Sequence, residues 1–286
     1  MTTTTARDLS APHPHGKHGA HLTVRDRRFA RQTGQRHWLN GDPVASAWFT
    51  ALSASFPRGE AMFIDAVKAH REGVPPDLAE QIRQFVRQEV NHSREHLAFN
   101  RSVAEAGYDL AAIDARVAGL VAMTQGLPPL VQLTITCALE HFTAMFAHQF
   151  LTHPAHFGTA PGPAADLWRW HAVEEIEHKA VAFDTWVHAT RALPRPRRWL
   201  LRAMVMLDVT CRFLRNRWVD ALELLAQDGM TGWRARWQLF HYLWLKPGIL
   251  SRVFPVWASW FRPGFHPWQL DDSGLIAAHA EQPAAG

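Results

Sequence analysis

Apolar residues recur along this chain at helical spacing, in segments divided by Pro and Gly. No Val/Ile/Thr alternation of any length appears, so the pattern predicts helices and almost no sheet. Asn40-Gly41-Asp42-Pro43 is a start signal, with Pro43 suited to a first turn, and a short helix is predicted to about Phe56. Pro57-Arg58-Gly59 predicts a restart, with a second helix carrying Glu60 to about His70. Gly73-Val74-Pro75-Pro76-Asp77 is a clear break, and the next helix is long, from about Asp77 to Glu105, stopping at Gly107. A helix from about Asp109 to Thr124 follows, and Gly126-Leu127-Pro128-Pro129 breaks the chain again. The helix through Glu140 is predicted to reach Thr152, ahead of a Pro-, Gly- and Ala-rich loop from His153 to Pro163. One helix is then predicted through Glu175 and His178 to about Arg191, ended by Pro194-Arg195-Pro196. Beyond it the pattern gives a long helix to about Gln227, a shorter one from Trp233 to Leu245, and a Pro-interrupted end.

Two of these helices carry Glu-x-x-His, as Glu89-Val90-Asn91-His92 and Glu175-Ile176-Glu177-His178. Residues three apart on a helix share a face, so each Glu and His can point at one ion. Each motif is preceded by a helix with a candidate partner carboxylate, Glu60 before the first and Glu140 before the second. Two Glu-x-x-His helices plus one carboxylate from each of two others make the dimetal site of ferritin-like bundles. The predicted fold class is therefore all-α, a ferritin-like four-helix bundle with a dimetal-carboxylate site and additional C-terminal helices. Its bounds are read as a disordered tail over 1–37, the bundle over 38–193, a C-terminal arm packed on it over 194–271, and a flexible tail over 272–286.

Carboxylates between two cations offset their mutual repulsion, and imidazoles fill outer positions while leaving others open to water, oxygen or substrate. Mixed carboxylate and imidazole donors suit two iron or manganese ions, with zinc also compatible. His96 lies two turns beyond Glu89, and His171 two turns before His178, so both are candidates for additional ligands or for outer groups that orient them. Glu174 competes with Glu175 in the second motif, but only Glu175 stands three residues before His178. Glu174 and Glu177 are spare carboxylates and candidate catalytic bases. A single Glu-x-x-His is usually a solvated pair. Two with upstream partners, set among Met62, Phe63, Phe85, Leu139, Phe142 and Ile176, point to buried carboxylates that need a cation or a polar network.

Four stretches together resemble the bacterial family of predicted metal-dependent hydrolases: Gln88 to His96, Glu140 to Ala144, Trp170 to Lys179, and Phe261-Arg262-Pro263-Gly264-Phe265-His266-Pro267-Trp268. The resemblance covers roughly Trp38 to Asp271. It implies a ferritin-like helical architecture and ligation by Glu60, Glu89, His92, Glu140, Glu175 and His178, with His96 and His171 beside them.

Three functions follow from such a site. The first is a dimetal, di-iron oxidase or oxygenase acting on a small apolar organic substrate in a dry pocket. The second is a hydrolase using a metal-activated water. The third is non-catalytic iron binding. Only Tyr108 and Tyr242 are present and neither adjoins a motif, which argues against a tyrosyl radical.

Composition adjusts this picture. Cys137 and Cys211 are the only cysteines, too few for a disulfide framework or a CxxC zinc site, and they suit a reducing cytosol. Cys137, three residues before Glu140, reads as a core thiol or a near-site residue. His13, His15, His18 and His21 fall in the polar N-terminal tail and are discounted as ligands. The net charge of +4 is modest, but Arg and Trp crowd the arm beyond Arg195. Charges and prolines interrupt its apolar runs before the roughly 18 residues that spanning needs. Such an arm fits a lid on the bundle, a contact with a second copy in a homodimer, or peripheral contact with a membrane surface. No recognition motif accompanies the charge, so nucleic acid is not expected as a partner.

Overall fold

The computed structural model describes residues 22–30, 35–153, 156 and 162–279 of the protein; among them, no strand forms. Prolines set the helix starts. α1 (Pro43–Lys68) is capped by the Asp42 carboxylate, which accepts from the Val44 and Ala45 amides at 2.8 and 3.1 Å. α2 (Pro76–Glu105), α4 (Pro129–Thr152), α5 (Pro163–His178) and α7 (Arg195–Gln227) also carry Pro in the first turn, where its missing amide costs nothing.

Four helices enclose the polar centre. α1 packs on α2 and α4, and α5 packs on α4 and α2, so the four form a closed ring. α3 (Ala111–Gln125) covers α1, α6 (Val181–Ala189) lies on α4 and α2, and α7 runs along α1 and α4. Next come α8 (Gly232–Phe240), a π-helical turn (His241–Leu245) and α9 (Ile249–Ser259), of which α9 packs on α4. α10 (Ser273–His279) closes on α5. The arm is keyed to the bundle by Arg217 of α7, which is buried, donates to the Ala51 carbonyl of α1 and pairs with Asp220. Apolar packing is continuous across the described chain; Phe49, for instance, meets Trp38, Phe150 and Trp168 edge-on or tilted at 5.0–6.4 Å. α4 is long and apolar enough to cross a membrane, yet 67% of that apolar window is buried inside the fold.

Several places differ from the sequence expectation. The predicted restart at Pro57 does not occur, and α1 runs through it. Proline cannot donate to the carbonyl four residues back. That carbonyl, on Ser53, instead accepts from the Asn100 side-chain amide of α2 at 3.1 Å, so the helix continues without a buried unpaired acceptor. Secondly, the single helix expected to Arg191 breaks after His178 into α5 and α6, with neither Pro nor Gly at the break. There Lys179 turns inward and its ammonium is held by Asp272 at 2.6 Å and by the Leu270 carbonyl at 2.7 Å. The same pairing anchors the start of α10, in a stretch expected as a flexible tail.

The third difference is at the N-terminus. Residues 22–30, read as part of a disordered tail, form an extended strap against α2 and α5, with Leu22 buried. Its amides and Arg25 find acceptors in Glu174, Glu177 and Glu95. His13, His15, His18 and His21, and residues 280–286, lie outside the described residues.

If Asn100 compensates Pro57, removing it leaves the Ser53 carbonyl unpaired. Asn100→Leu is expected to cost about 1–3 kcal/mol. In a Pro57→Ala background, where the helix supplies its own donor, the cost should fall by about 1 kcal/mol, measured as the coupling term of a denaturant double-mutant cycle.

Candidate metal centre

Seven side chains from α1, α2, α4 and α5 converge in the ring's interior. Glu60, Glu89, His92, Glu140, His171, Glu175 and His178 are all buried. Three overlapping groups among them offer ligand atoms within 4.8 Å of one another: Glu60 with His92 and His171, Glu89 with Glu140 and His178, and Glu89 with His92 and Glu175. Helical spacing creates the convergence. Glu89 and His92 share one face of α2, while His171, Glu175 and His178 stack on one face of α5 at intervals of four and three.

Many of the oxygens and nitrogens facing inward lack a partner: among the described residues, both oxygens of Glu89 and of Glu140, one each of Glu60 and Glu175, Nδ1 of His92 and Nε2 of His178 are buried without a hydrogen bond. Such groups are rare in a folded interior, because each retains its full desolvation cost. Burial holds the carboxyls of Glu60 and Glu89 well above the usual carboxylate range and pushes Glu140 up to about 7. Burial, and then the neighbouring His171, takes His92 and His96 well below the ordinary imidazole value. Burial would also raise Glu175, but attraction to His178 and His171 outweighs it and holds this carboxyl well below its usual range. The donors therefore fit cations. Divalent ions here would meet the unpaired oxygens and nitrogens and displace the protons that burial otherwise imposes.

A second ring of side chains fixes which nitrogen each imidazole turns inward. His92 Nε2 lies 3.0 Å from Glu174 Oε2, so with that carboxylate ionised this nitrogen carries the proton, and Nδ1 faces Glu175 at 3.5 Å and Glu89 at 4.0 Å. Gln88 donates its amide to the Thr23 carbonyl and to Glu177 at 3.1 and 3.2 Å, so its oxygen must accept from His178 Nδ1 at 3.1 Å. His178 Nε2 is left facing Glu89, Glu140 and Glu175 at 3.2–3.4 Å.

His171 is fixed by a longer relay. Asn100 donates to the Ser53 carbonyl, so its oxygen accepts the Ser53 hydroxyl proton at 2.7 Å. The hydroxyl must then accept from His96 Nδ1 at 2.8 Å, leaving His96 Nε2 to accept from His171 Nδ1 at 2.6 Å. His171 Nε2 ends up facing Glu175 at 2.8 Å and Glu60 at 3.7 Å, contacts that require a proton or a cation between them. The geometry thus separates two residues that sequence left together. His171 reaches the centre, and His96 stands behind it with both nitrogens engaged.

Glu174 and Glu177, expected as spare bases, face the strap instead of the cluster. Glu174 accepts from the Arg25 amide at 2.8 Å as well as from His92, and burial pushes it up to about 8 against the pull of Arg25. Glu177 takes both arms of the Arg25 guanidinium at 2.7 and 2.9 Å. Among the described residues, neither belongs to a group that could hold an ion. Sequence reasoning missed Gln88, Ser53, Asn100 and Arg25 as supports. Cys137 is a buried thiol.

A cavity of about 270 Å³ opens beside the centre. Its walls are mainly apolar, among them Leu52, Phe56, Phe63, Phe142, Phe146 and Trp168. Glu60, His171 and Glu175 line it, whereas Glu89, His92, Glu140 and His178 do not, so the cluster has an open side and a sealed side. At its rim α7 presents Asp208, Arg212 and Asn216.

The sequence model of a family described as "Predicted metal-dependent hydrolase" matches residues 23–271. No match is found among curated proteins or solved structures.

Glu174 hydrogen-bonds to the centre through His92, which gives it a distinct signature. Glu174→Leu is expected to weaken metal binding about 10–100-fold. Glu174→Gln, which can keep an acceptor oxygen on His92, should retain most of the affinity, both read by competition with a chromogenic chelator.

Proposed function

The chain belongs to the family of predicted metal-dependent hydrolases, and from that premise we propose that it is a dinuclear metal enzyme acting on a small apolar substrate held in the cavity beside Glu60, His171 and Glu175. The observation that carries this reading is the set of buried carboxylate oxygens and imidazole nitrogens that face one another with no hydrogen-bond partner among the described residues. One glutamate from each of four helices, with Glu-x-x-His on two of them, supports a ferritin-like bundle in which Glu60, Glu89, His92, Glu140, Glu175 and His178 hold the ions and His171 adds a seventh donor. The donor types suit iron or manganese, and zinc is compatible.

Hydrolysis is the first reading. Bound ions would supply Lewis acidity and make a coordinated water acidic near neutral pH. The chain's own groups do the rest. Phe56, Phe63, Phe142, Phe146 and Trp168 bind an apolar group and exclude bulk water. Glu60 has one oxygen held by the Ser93 hydroxyl at 2.8 Å and the other unpartnered beside the cavity. That free oxygen would hold an ion on the cavity side of the centre, while Glu174 and Glu177 are engaged by the strap. The second reading is an oxygen-activating oxidase or oxygenase. The apolar lining favours it, because few polar groups near the ligands are available to grip a hydrolysable head group.

Protein purified without oxygen should contain about two metal ions per chain by elemental analysis, as the four-helix carboxylate site requires. In the first reading, metal-loaded protein cleaves p-nitrophenyl esters without oxygen, and chelated protein does not. Ester cleavage unchanged by chelation would sink it. Oxygen consumption by the ferrous form, with no ester cleavage under any metal, would select the second reading.

Gly59 tests the cavity separately. A Cβ there meets nothing within 4 Å, and the residue lines the cavity next to Glu60. Gly59→Phe should keep the fold and the metal content yet lower turnover of long-chain esters at least about tenfold relative to acetate, as loss of about 1.4 kcal/mol of differential binding predicts.

A further inference from the structure

The segment between Asp228 and Asp271 contains no acidic residue, but it holds Arg234, Arg236, Lys246, Arg252 and Arg262. On α8 and the π-helical turn after it, Trp233, Trp237, Phe240 and Trp244 are spaced four, three and four apart, which places them along one face. That face is not buried. Trp233 is 77% exposed, Trp237 and Phe240 stack at 5.7 Å, and Phe240 and Trp244 stack at 6.5 Å with their outer faces uncovered. The opposite face, with Ala235, Leu239 and Leu243, carries the packing against the rest of the chain. The Ser251 hydroxyl donates to the Trp244 carbonyl at 2.6 Å, which brings the start of α9 beside this stripe. One turn further on, Phe254 is 56% exposed. Arg234, Arg236 and Lys246 are exposed and form no ion pair with a described residue.

We propose that this aromatic face, with its unpaired cations, docks the protein on an anionic phospholipid bilayer. Tryptophan rings settle at the headgroup level, where their apolar bodies leave water and their N–H groups stay wet. Arginine and lysine beside them meet anionic headgroups, each worth about 1 kcal/mol near such a surface. A partner protein with an acidic patch would match the charges, but a row of uncovered indoles on short helices is the chemistry of a bilayer interface. The segments are too short to span, so the contact is peripheral. The inference is independent of the metal centre.

Flotation of the full-length protein tests it, with vesicles of phosphatidylcholine alone and of phosphatidylcholine mixed with phosphatidylglycerol. The protein should float with the anionic vesicles, and high salt should weaken that binding. Trp233→Ala with Trp237→Ala, or Arg234→Glu with Arg236→Glu, should lower the bound fraction at least about tenfold, with metal content and circular dichroism unchanged. Wild-type protein that stays at the bottom of the gradient overturns the proposal, and so do variants that float equally well. A concentration-dependent dimer that the tryptophan substitutions dissolve, seen without flotation, would overturn it in favour of a second copy as the occupant.

Discussion

Four buried carboxyl groups crowd one interior volume, and this constraint shapes the surrounding structure. Ionised together, Glu60, Glu89, Glu140 and Glu175 would repel one another in a low-dielectric interior without hydration to offset it. Protonated, they would be poor ligands. Cations would resolve the conflict, and the imidazoles present donors for them. His92, His171 and His178 each commit one ring nitrogen outward to a fixed acceptor and turn the other towards the carboxylates. That commitment comes from acceptors which are themselves committed. Gln88 is oriented by the strap and Glu177, and Ser53 by Asn100. A chain of single-valued hydrogen bonds therefore reaches from the protein's outer layers to the inward lone pairs.

The inner set was legible in sequence because it rests on helical periodicity. Glu89 and His92, or Glu175 and His178, are neighbours on a face whatever the tertiary packing, and two such pairs with upstream glutamates form a recognisable constellation. His171 was visible as a position but not as a role, since its difference from His96 depends on which nitrogen meets Ser53. The helices themselves were legible from their prolines. The outer supports were not. Thr23 and Arg25 sit in a polar stretch with no apolar periodicity, and their partners Glu174 and Glu177 lie some 150 residues away. A local reading gives such a stretch no reason to be ordered, and it leaves those glutamates free to be cast as bases.

The helix through Pro57 shows the same limit from another side. Proline removes one donor, and sequence rules treat that as a break. The cost is local, one orphaned carbonyl, and a single side chain from a neighbouring helix can meet it. Only the packing of α1 on α2 reveals that Asn100 does so. The break after His178 is the reverse case, in which no local signal exists and a buried Lys179–Asp272 pair coincides with the turn.

These irregularities also bear on chemistry, because the centre is not symmetric. Its two halves repeat glutamate and Glu-x-x-His, but only the second half adds an imidazole four residues earlier, and that imidazole has the longest relay behind it. The relay runs from His171 through His96 to Ser53, the residue whose carbonyl Pro57 deprives of its helical donor. Asn100 serves both ends, donating to the Ser53 carbonyl and accepting from its hydroxyl. The proline irregularity of α1 is thus tied to the orientation of His171. His171, with Glu60 and Glu175, is what the cavity touches, while Glu89, His92, Glu140 and His178 lie behind them, off its lining. An incoming molecule would meet the half of the centre that carries the extra imidazole, whose tautomer Ser53 and Asn100 fix.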